Sequence, residues 1–573
     1  MRRDSRMPSG HGVLIKGKGE ANSMNKRFST IYPQKWSQIA LLVAFCLVFF
    51  FLNLNQWDLW NPDEPRYAHV AREMVDRGDW ILMHFNGKMY DDKPPFFFWM
   101  IAFSSFLSGG FTPFSARFPS AFFGTLTVLL TFLLGKRLYS SRTGLLGALI
   151  LATSVEFFYL ATRANIDVTL TFFTTASLFC FLVWNQSRRG EETRPDHFRG
   201  RSIYGFYIGM AVATVTKGPV GLALPLVVAL VYLFARKDWR GFKEMKLLPG
   251  MMLMVALVLC WYLPAVLKGG QVYLHATLFK QTIDRYATGW SHVKPFYYYF
   301  LNFPVEFLPW FLFLPAGFVY GFSRESLRKR KAFLFLLTWL VAIFIVFSIS
   351  KGKRGLYLLP LYPAASLIVA AFFEDYISHQ MENFRREWVL FPLYGLIGAM
   401  VMGGPILLWL VSRQFPAFLP YSVPGAFLIT AGGMALFFLN RSNRHGAILF
   451  LIVGIIATGF FYTQRVIFPR VNPMKSARFI CQEITSRIQP GEKLAIYGGF
   501  GTGPYNFYTG IVPILELDKK EELSRFLESS RRVFCLLKHR DYSSFMAMEG
   551  RPTANTIARR GVGDDDIVLI SNR

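Results

Sequence analysis

The chain has 573 residues, 53% of them hydrophobic and only 17% charged, with 59 phenylalanines and a formal net charge of +27. Its apolar residues come in repeated runs of roughly 17–24, the length a bilayer core demands of a spanning helix, which excludes a soluble fold for most of the chain. Lys and Arg cluster in short segments between those runs, so the positive charge reads as membrane orientation and argues against a nucleic-acid surface.

The chain opens on a basic tail, residues 1–37, too polar for a signal peptide and read as a disordered cytoplasmic segment. Runs near 38–54, 117–138, 144–162, 167–184, 203–216, 218–235, 247–267, 302–322, 332–349, 356–373, 388–411, 424–439 and 446–463 predict about thirteen spans. The stretch from Phe96 to Leu107 is too short to span and is taken as interfacial or re-entrant. With it left out of the count, the basic clusters around Arg137, Arg188, Arg240, Arg330, Arg385 and Arg441 fall on the side of the basic tail, as the positive-inside rule requires. The predicted orientation has the N-terminus inside and the C-terminus outside.

That parity sends the remaining ionisable residues to the outer face: Asp63, Arg66 and Lys93 in the loop 55–116, Arg163 and Asp167, Lys217, the loop from Lys268 to Leu301, and Lys351, Lys353 and Arg354. A channel or carrier would instead place such groups near mid-bilayer and use broken helices or repeat symmetry. Within the first loop, Asn61 suits a helix N-cap, Pro62 the first turn and Gly78 the stop. Tyr67, Val70, Ala71, Met74 and Val75 share one face, expected to lie on the membrane surface, and Asp63 and Arg66 project together. An ordinary surface ion pair fits the same spacing.

After Tyr462 the apolar runs end. Helices over 474–488 and 521–527 and strands over 494–497, 512–517, 533–537 and 567–570 predict a small α/β module, residues 464–573. Its segment Gly498-Gly499-Phe500-Gly501-Thr502-Gly503 lacks a nucleotide fingerprint and has no evident helix after it, so a turn is favoured over a phosphate cradle. A disulfide between Cys481 and Cys535 is left open, to be formed if the fold brings them together, since the compartment would permit it; Cys46, Cys180 and Cys260 lie in apolar runs without metal-ligand spacing.

The motif Asp63-Glu64-Pro65-Arg66-Tyr67, followed by Arg72-Glu73-Met74, Gly78-Asp79-Trp80 and Asp92-Lys93-Pro94-Pro95, resembles the first external loop of the lipid A aminoarabinose transferases and the wider protein O-mannosyltransferase-related group. Arg163 to Asp167, Thr216-Lys217-Gly218-Pro219, Trp290 to Pro295, and Ser350 to Arg354 with Tyr357 to Pro360 follow in the order of that family. The resemblance covers about residues 38–463. It implies the GT-C fold, an all-α polytopic membrane domain followed by the α/β module, in a bacterial inner membrane. It also implies an enzyme that moves a sugar from a polyprenyl (undecaprenyl) phosphate donor to lipid A or another envelope acceptor outside the cytoplasm. Protein hydroxyls or a polysaccharide are alternative acceptors, and a lipid-linked-sugar flippase is the alternative from another class.

By the same resemblance Arg66, Lys93 and Lys217 map to phosphate-handling positions with Tyr357 a nearby donor, and Asp63 and Asp167 supply the carboxylates for the incoming nucleophile. Asp92 stands where the family often has Glu. Asp92, His292, Lys351, Lys353 and Arg354 are expected substrate or anionic-headgroup contacts. A divalent metal is left open, with Asp92 and His292 the side chains that would hold it, and Asp167 beside Arg163 also reads as a helix-end pair. The topology is directly testable: a periplasm-active reporter fused after Arg573 should be active, and a working cytoplasm-only reporter there would mean a miscounted span.

Overall fold

The protein is described from a computed structural model covering residues 35–190, 200–284, 293–323, 326, 329–378, 381, 384, 385 and 387–573. The basic tail up to residue 34, His292 and the basic residues Arg194, Arg199, Arg324, Arg328 and Arg386 lie outside the described residues. Eight described helices are long and apolar enough to cross a membrane, or ten if each of two bent pairs is one span, and Ser37–Phe51, Phe96–Ser108 and Val220–Ala235 are shorter apolar helices. This is a multi-pass helical membrane protein.

Contacts between segment ends sort the connections into two groups. At one end Ser141 bonds Gln38, Arg137 bonds Gln186, Arg188 and Arg189 both pair with Asp238, and Glu374 and Asp375 receive Ser140 and Lys329. At the other, Asp63 meets Arg354, Asp167 meets Lys217, Glu64 meets Arg163 and Asp79 meets Lys268. The residues expected on a common face are therefore on one.

The Phe96–Ser108 helix starts beside Lys93 in this second group and returns to Phe111, whose ring lies under Arg72. It does not carry the chain to the opposite end. Its buried Phe97, Phe98, Ile101 and Ala102 pack on Tyr67, Val70, Ala71 and Met74 of the helix Asp63–Arg77. That face was expected on the membrane surface; it is covered by protein instead, because the apolar helix that follows folds back over it.

The bent pairs Ser141–Ala152 with Val155–Ala161 (70°) and Tyr298–Glu306 with Trp310–Phe322 (110°) are broken at the same level. Pro309 removes a backbone donor at the second break. The breaks repair one another: Val155 N donates to Leu308 O at 3.4 Å, and Trp310 Nε1 to Thr153 Oγ1 at 3.1 Å. Backbone freed inside a bilayer has to find such protein partners.

A hairpin of β1 His84–Phe85 and β2 Lys88–Met89 follows the loop helix. The last apolar helix continues to Lys475, and beyond it β3 Lys493–Tyr497, β4 Leu515–Leu517, β5 Val533–Lys538, β6 Asn555–Val562 and β7 Asp565–Ser571 form a sheet of order β4-β3-β5-β7-β6. The pairs β3 with β4 and β3 with β5 are parallel and the rest antiparallel. The first helix here is Arg478–Thr485, shorter than the 474–488 expected, since Met474 and Lys475 belong to the preceding helix. Helices Gly503–Thr509 and His539–Met546 and strand β6 were not anticipated; β6 carries Arg559, Arg560 and Gly561 rather than an apolar alternation. Cys481 and Cys535 are both free: one packs on each face of the sheet, so no disulfide joins them.

The buried Glu64 holds the first loop to the helices. It accepts from Arg117 Nε at 2.7 Å and Nη2 at 3.0 Å, Arg163 Nη2 at 2.9 Å, and the backbone N–H groups of Trp60 (3.1 Å) and Ala164 (3.0 Å). Arg117, wholly buried, spends its other donors on Leu54 O, Trp57 O and Asp58 O and stacks 4.3 Å from the Trp57 ring. Burial pushes the Glu64 carboxyl up, but Arg117 and Arg163 outweigh it and hold it down at about 2 against the usual 4.5. A folded-state pKa below the unfolded one adds stability that is complete above pH ~4.5 and lost as pH falls toward 2, about 3 kcal/mol in all. Removing one partner of such a pair costs roughly 3–5 kcal/mol. Arg117→Met should therefore lower the melting temperature in detergent sharply at pH 7 and by much less at the lowest pH the protein tolerates; an equal loss at both would remove the ionic role.

Candidate active site

The loop helix begins at Asp63 rather than Pro62, and Asn61 does not cap it; Gly78, in the left-handed conformation, ends it as expected. Asp63 sits at its first residue because Glu64, next to it, is clamped. Its carboxylate lies between two guanidinium groups, Oδ1 at 2.7 Å from Arg66 Nη2 and Oδ2 at 3.0 Å from Arg354 Nη2. Arg66 Nη1 is 3.9 Å from Asp92 Oδ2, and Lys93 Nζ is 2.9 Å from Asp92 Oδ1. Lys217 is ion-paired with the buried Asp167 and stands over the Tyr357 ring, 4.5 Å from its centroid.

Four cations and three carboxylates thus form two linked clusters at one end of the helices. Burial acts to raise the Asp63 pKa, but Arg354 and then Arg66 more than offset it, keeping the carboxyl below its usual value. Arg354 is desolvated, yet Asp63 holds its pKa above the ordinary one. Asp63 is a carboxylate at neutral pH, and its neighbours remain fully charged.

Several expectations change in detail. Arg163 pairs with Glu64, and Asp167 with Lys217, so Arg163 and Asp167 are not a helix-end pair. Tyr357 meets Lys217 with its ring face. Lys353 is buried and spent on backbone, donating to Lys294 O at 3.2 Å and to Ser350 O; it fixes the 350–355 turn rather than facing a headgroup. Lys351 is exposed beside it. Asp92 accepts from Tyr90 Oη at 3.3 Å as well as from Lys93. No three His, Cys, Asp or Glu side chains gather as a metal site among the described residues, and His292 is outside them.

Sequence reasoning missed Glu64 and Arg117, which position the loop, and the pairing of Arg354 with Asp63. It also missed Glu306, whose carboxylate occupies the space a side chain at residue 355 would take, so that any other residue there would displace it. An acid inside an apolar run was the available signal. The glycine turn was underrated too, because a helix does follow it. Gly503 starts the helix Gly503–Thr509, and a Cβ there would come within 3.1 Å of Arg66 Cβ and 3.2 Å of Arg66 Cα. A side chain there would push the two helices apart by a few tenths of an ångström, so close contact favours glycine at that point.

The geometry is that of a membrane protein with charged side chains gathered at one end of its helices, on a GT-C glycosyltransferase fold. The aminoarabinose transferase ArnT from Cupriavidus metallidurans, solved bound to undecaprenyl phosphate, superposes with a TM-score of 0.78 over 94% of this chain and 99% of its own, at 20% identity. Within that class the likeness in sequence is to the undecaprenyl phosphate-α-4-amino-4-deoxy-L-arabinose arabinosyl transferases. The one from Pectobacterium atrosepticum is 33% identical over 64% of this chain and 65% of its own length, and that from Yersinia enterocolitica 28% identical over 78% and 82%. Residues 36–280 match the family of dolichyl-phosphate-mannose-protein mannosyltransferases. The resemblance read from the first loop holds for the fold over the 94% of the chain that superposes.

Since Arg354 depresses the Asp63 pKa, Arg354→Gln should raise it and move the acid limb of the activity profile to higher pH. An unmoved limb would mean that Asp63 is not the group that titrates.

Proposed function

We propose that this chain is an inner-membrane glycosyltransferase that moves a sugar, 4-amino-4-deoxy-L-arabinose in the closest reading, from undecaprenyl phosphate to lipid A or another acceptor outside the cytoplasm. The observation that carries this reading is the ring of cations, Arg66, Lys93, Lys217 and Arg354, around Asp63 and Asp167 at the membrane end of the bundle. As the glycosidic bond breaks, negative charge grows on the lipid phosphate, and preorganised cations stabilise it. An apolar groove of about 310 Å³, lined by Val231, Leu337, Val341 and Ile345, runs between Val220–Ala235 and Arg330–Ile349. Those helices adjoin Lys217 and Arg354 respectively, so a polyprenyl tail in the groove would bring its phosphate toward the cations.

Asp63 is a carboxylate held low, hence a weak base. It suits orienting an acceptor that is already nucleophilic, a phosphate oxygen, better than stripping a proton from a hydroxyl. Asp167, tied to Lys217, orders that ammonium for the leaving phosphate. Attack from the face opposite the phosphate inverts the anomeric centre in one displacement. Residues 1–37 are proposed as cytoplasmic, 38–463 as the transferase domain, and 464–573 as a periplasmic module over the site.

Asp63→Asn should cost on the order of 10²–10⁴-fold in single-turnover transfer while melting normally. Wild-type transfer by that variant removes Asp63 from the mechanism. Lys93→Ala should weaken activity greatly, and Arg66→Lys should not restore a bidentate contact. Normal donor binding and turnover in both would leave these as structural pairs. Turnover by purified protein in detergent, without a sealed membrane, separates transfer from flipping.

A further inference from the structure

A cleft of about 540 Å³ opens between the membrane part and the sheet module, bordered by Asp58, Arg72, Thr112, Arg478 and Tyr508. Arg72 follows Asp63 by nine residues and so projects from the opposite face of their helix, roughly 13 Å along its axis. The cleft is separate from the cluster around Asp63.

Arg72 is held rigidly, its guanidinium carbon 4.5 Å from the Phe507 ring centroid and 5.5 Å from that of Phe111, with Nη1 donating to Phe507 O at 2.8 Å. Among the described residues no carboxylate forms a direct ion pair with it; the exposed Asp76, one turn on in the same helix, acts on it only at longer range and does not offset its desolvation. A half-buried guanidinium so weakly compensated is unfavourable unless an anion completes it. Across the cleft Arg478 is 55% exposed and leans on Asp58 Oδ1 at 3.3 Å. That carboxylate is already shared, since Asn472 Nδ2 donates to its Oδ2 at 2.8 Å. Thr112, on the rim, caps the 26-residue helix Pro113–Leu138, whose positive dipole end therefore opens here too. Two cations and a helix start face one carboxylate, Asp58, in the lining of the cleft, while Asp76 lies outside that lining.

We propose that this cleft is a second anion site, which binds a phosphate monoester on an amphiphilic acceptor, on the opposite face of the loop helix from Asp63. The word acceptor rests on the transferase reading; the binding does not. Arg72 and Arg478 would grip the phosphate from two walls, and Tyr508 and Thr112 would border it.

The test is a calorimetric titration of the full chain in dodecyl maltoside with dodecyl phosphate, the donor site first saturated with undecaprenyl phosphate. Wild type should bind saturably, and Arg478→Ala, an exposed position that should not disturb folding, should weaken binding at least tenfold. Arg72→Gln should do the same, while Arg66→Ala should leave it unchanged. Unchanged binding in Arg478→Ala overturns the proposal, as does loss in Arg66→Ala alone, which would mean that the probe reads the donor site. Inorganic phosphate binding as tightly as dodecyl phosphate would assign the site to a free ion and overturn the acceptor assignment. Because no turnover is required, failure here is distinguishable from failure of the transferase reading.

Discussion

The site depends on one buried carboxylate that never touches it. Glu64 gathers two guanidinium groups and two backbone donors from three separate segments, and Arg117 in turn ties down the carbonyls of the chain leading into the loop. An ion pair of this kind adds little net stability over a well-packed apolar alternative, and its use lies in specificity. Asp63 precedes Glu64 and Arg66 follows two residues on, so fixing Glu64 fixes where both can point. The loop is polar enough to wander on a membrane surface, and it is held still by a charge that cannot be left unpaired.

The charged cluster itself is arranged in pairs. Asp63 is divided between Arg66 and Arg354, Lys93 is joined to Asp92, and Asp167 to Lys217. Such pairing lets four cations sit together without intolerable repulsion. The broken helices solve a related problem: a kink near the site frees backbone groups, and placing two kinks against each other satisfies them without water.

Much of this was legible in the sequence. Apolar runs of spanning length located the helices, because a bilayer allows few other solutions, and the parity of basic clusters gathered Asp63, Asp167, Lys217 and Arg354 at one end. Partners were not legible. Spacing along a chain ranks i, i+3 neighbours such as Asp63 and Arg66, but it is silent on a contact between Asp63 and Arg354, which depends on how distant helices pack. The same blindness misassigned Lys353, exposed by composition and buried in fact, and sent the apolar face of the first loop helix to the lipid when a following helix covers it. The C-terminal module was read well where strands are fully apolar, as in β3 and β5, and missed where β6 is charged.

The contact between Gly503 and Arg66 reaches across most of the chain. Residues of the last hundred or so thus set the backbone position of a residue in the first loop. A chain inserted into the membrane as it is synthesised would have all its helices in place, and its charged cluster assembled, while Arg66 still lacked the surface it packs on. The packing around Arg66 is therefore completed only when the last module folds, and a polypeptide stalled or clipped late would be a helical bundle with that packing unfinished.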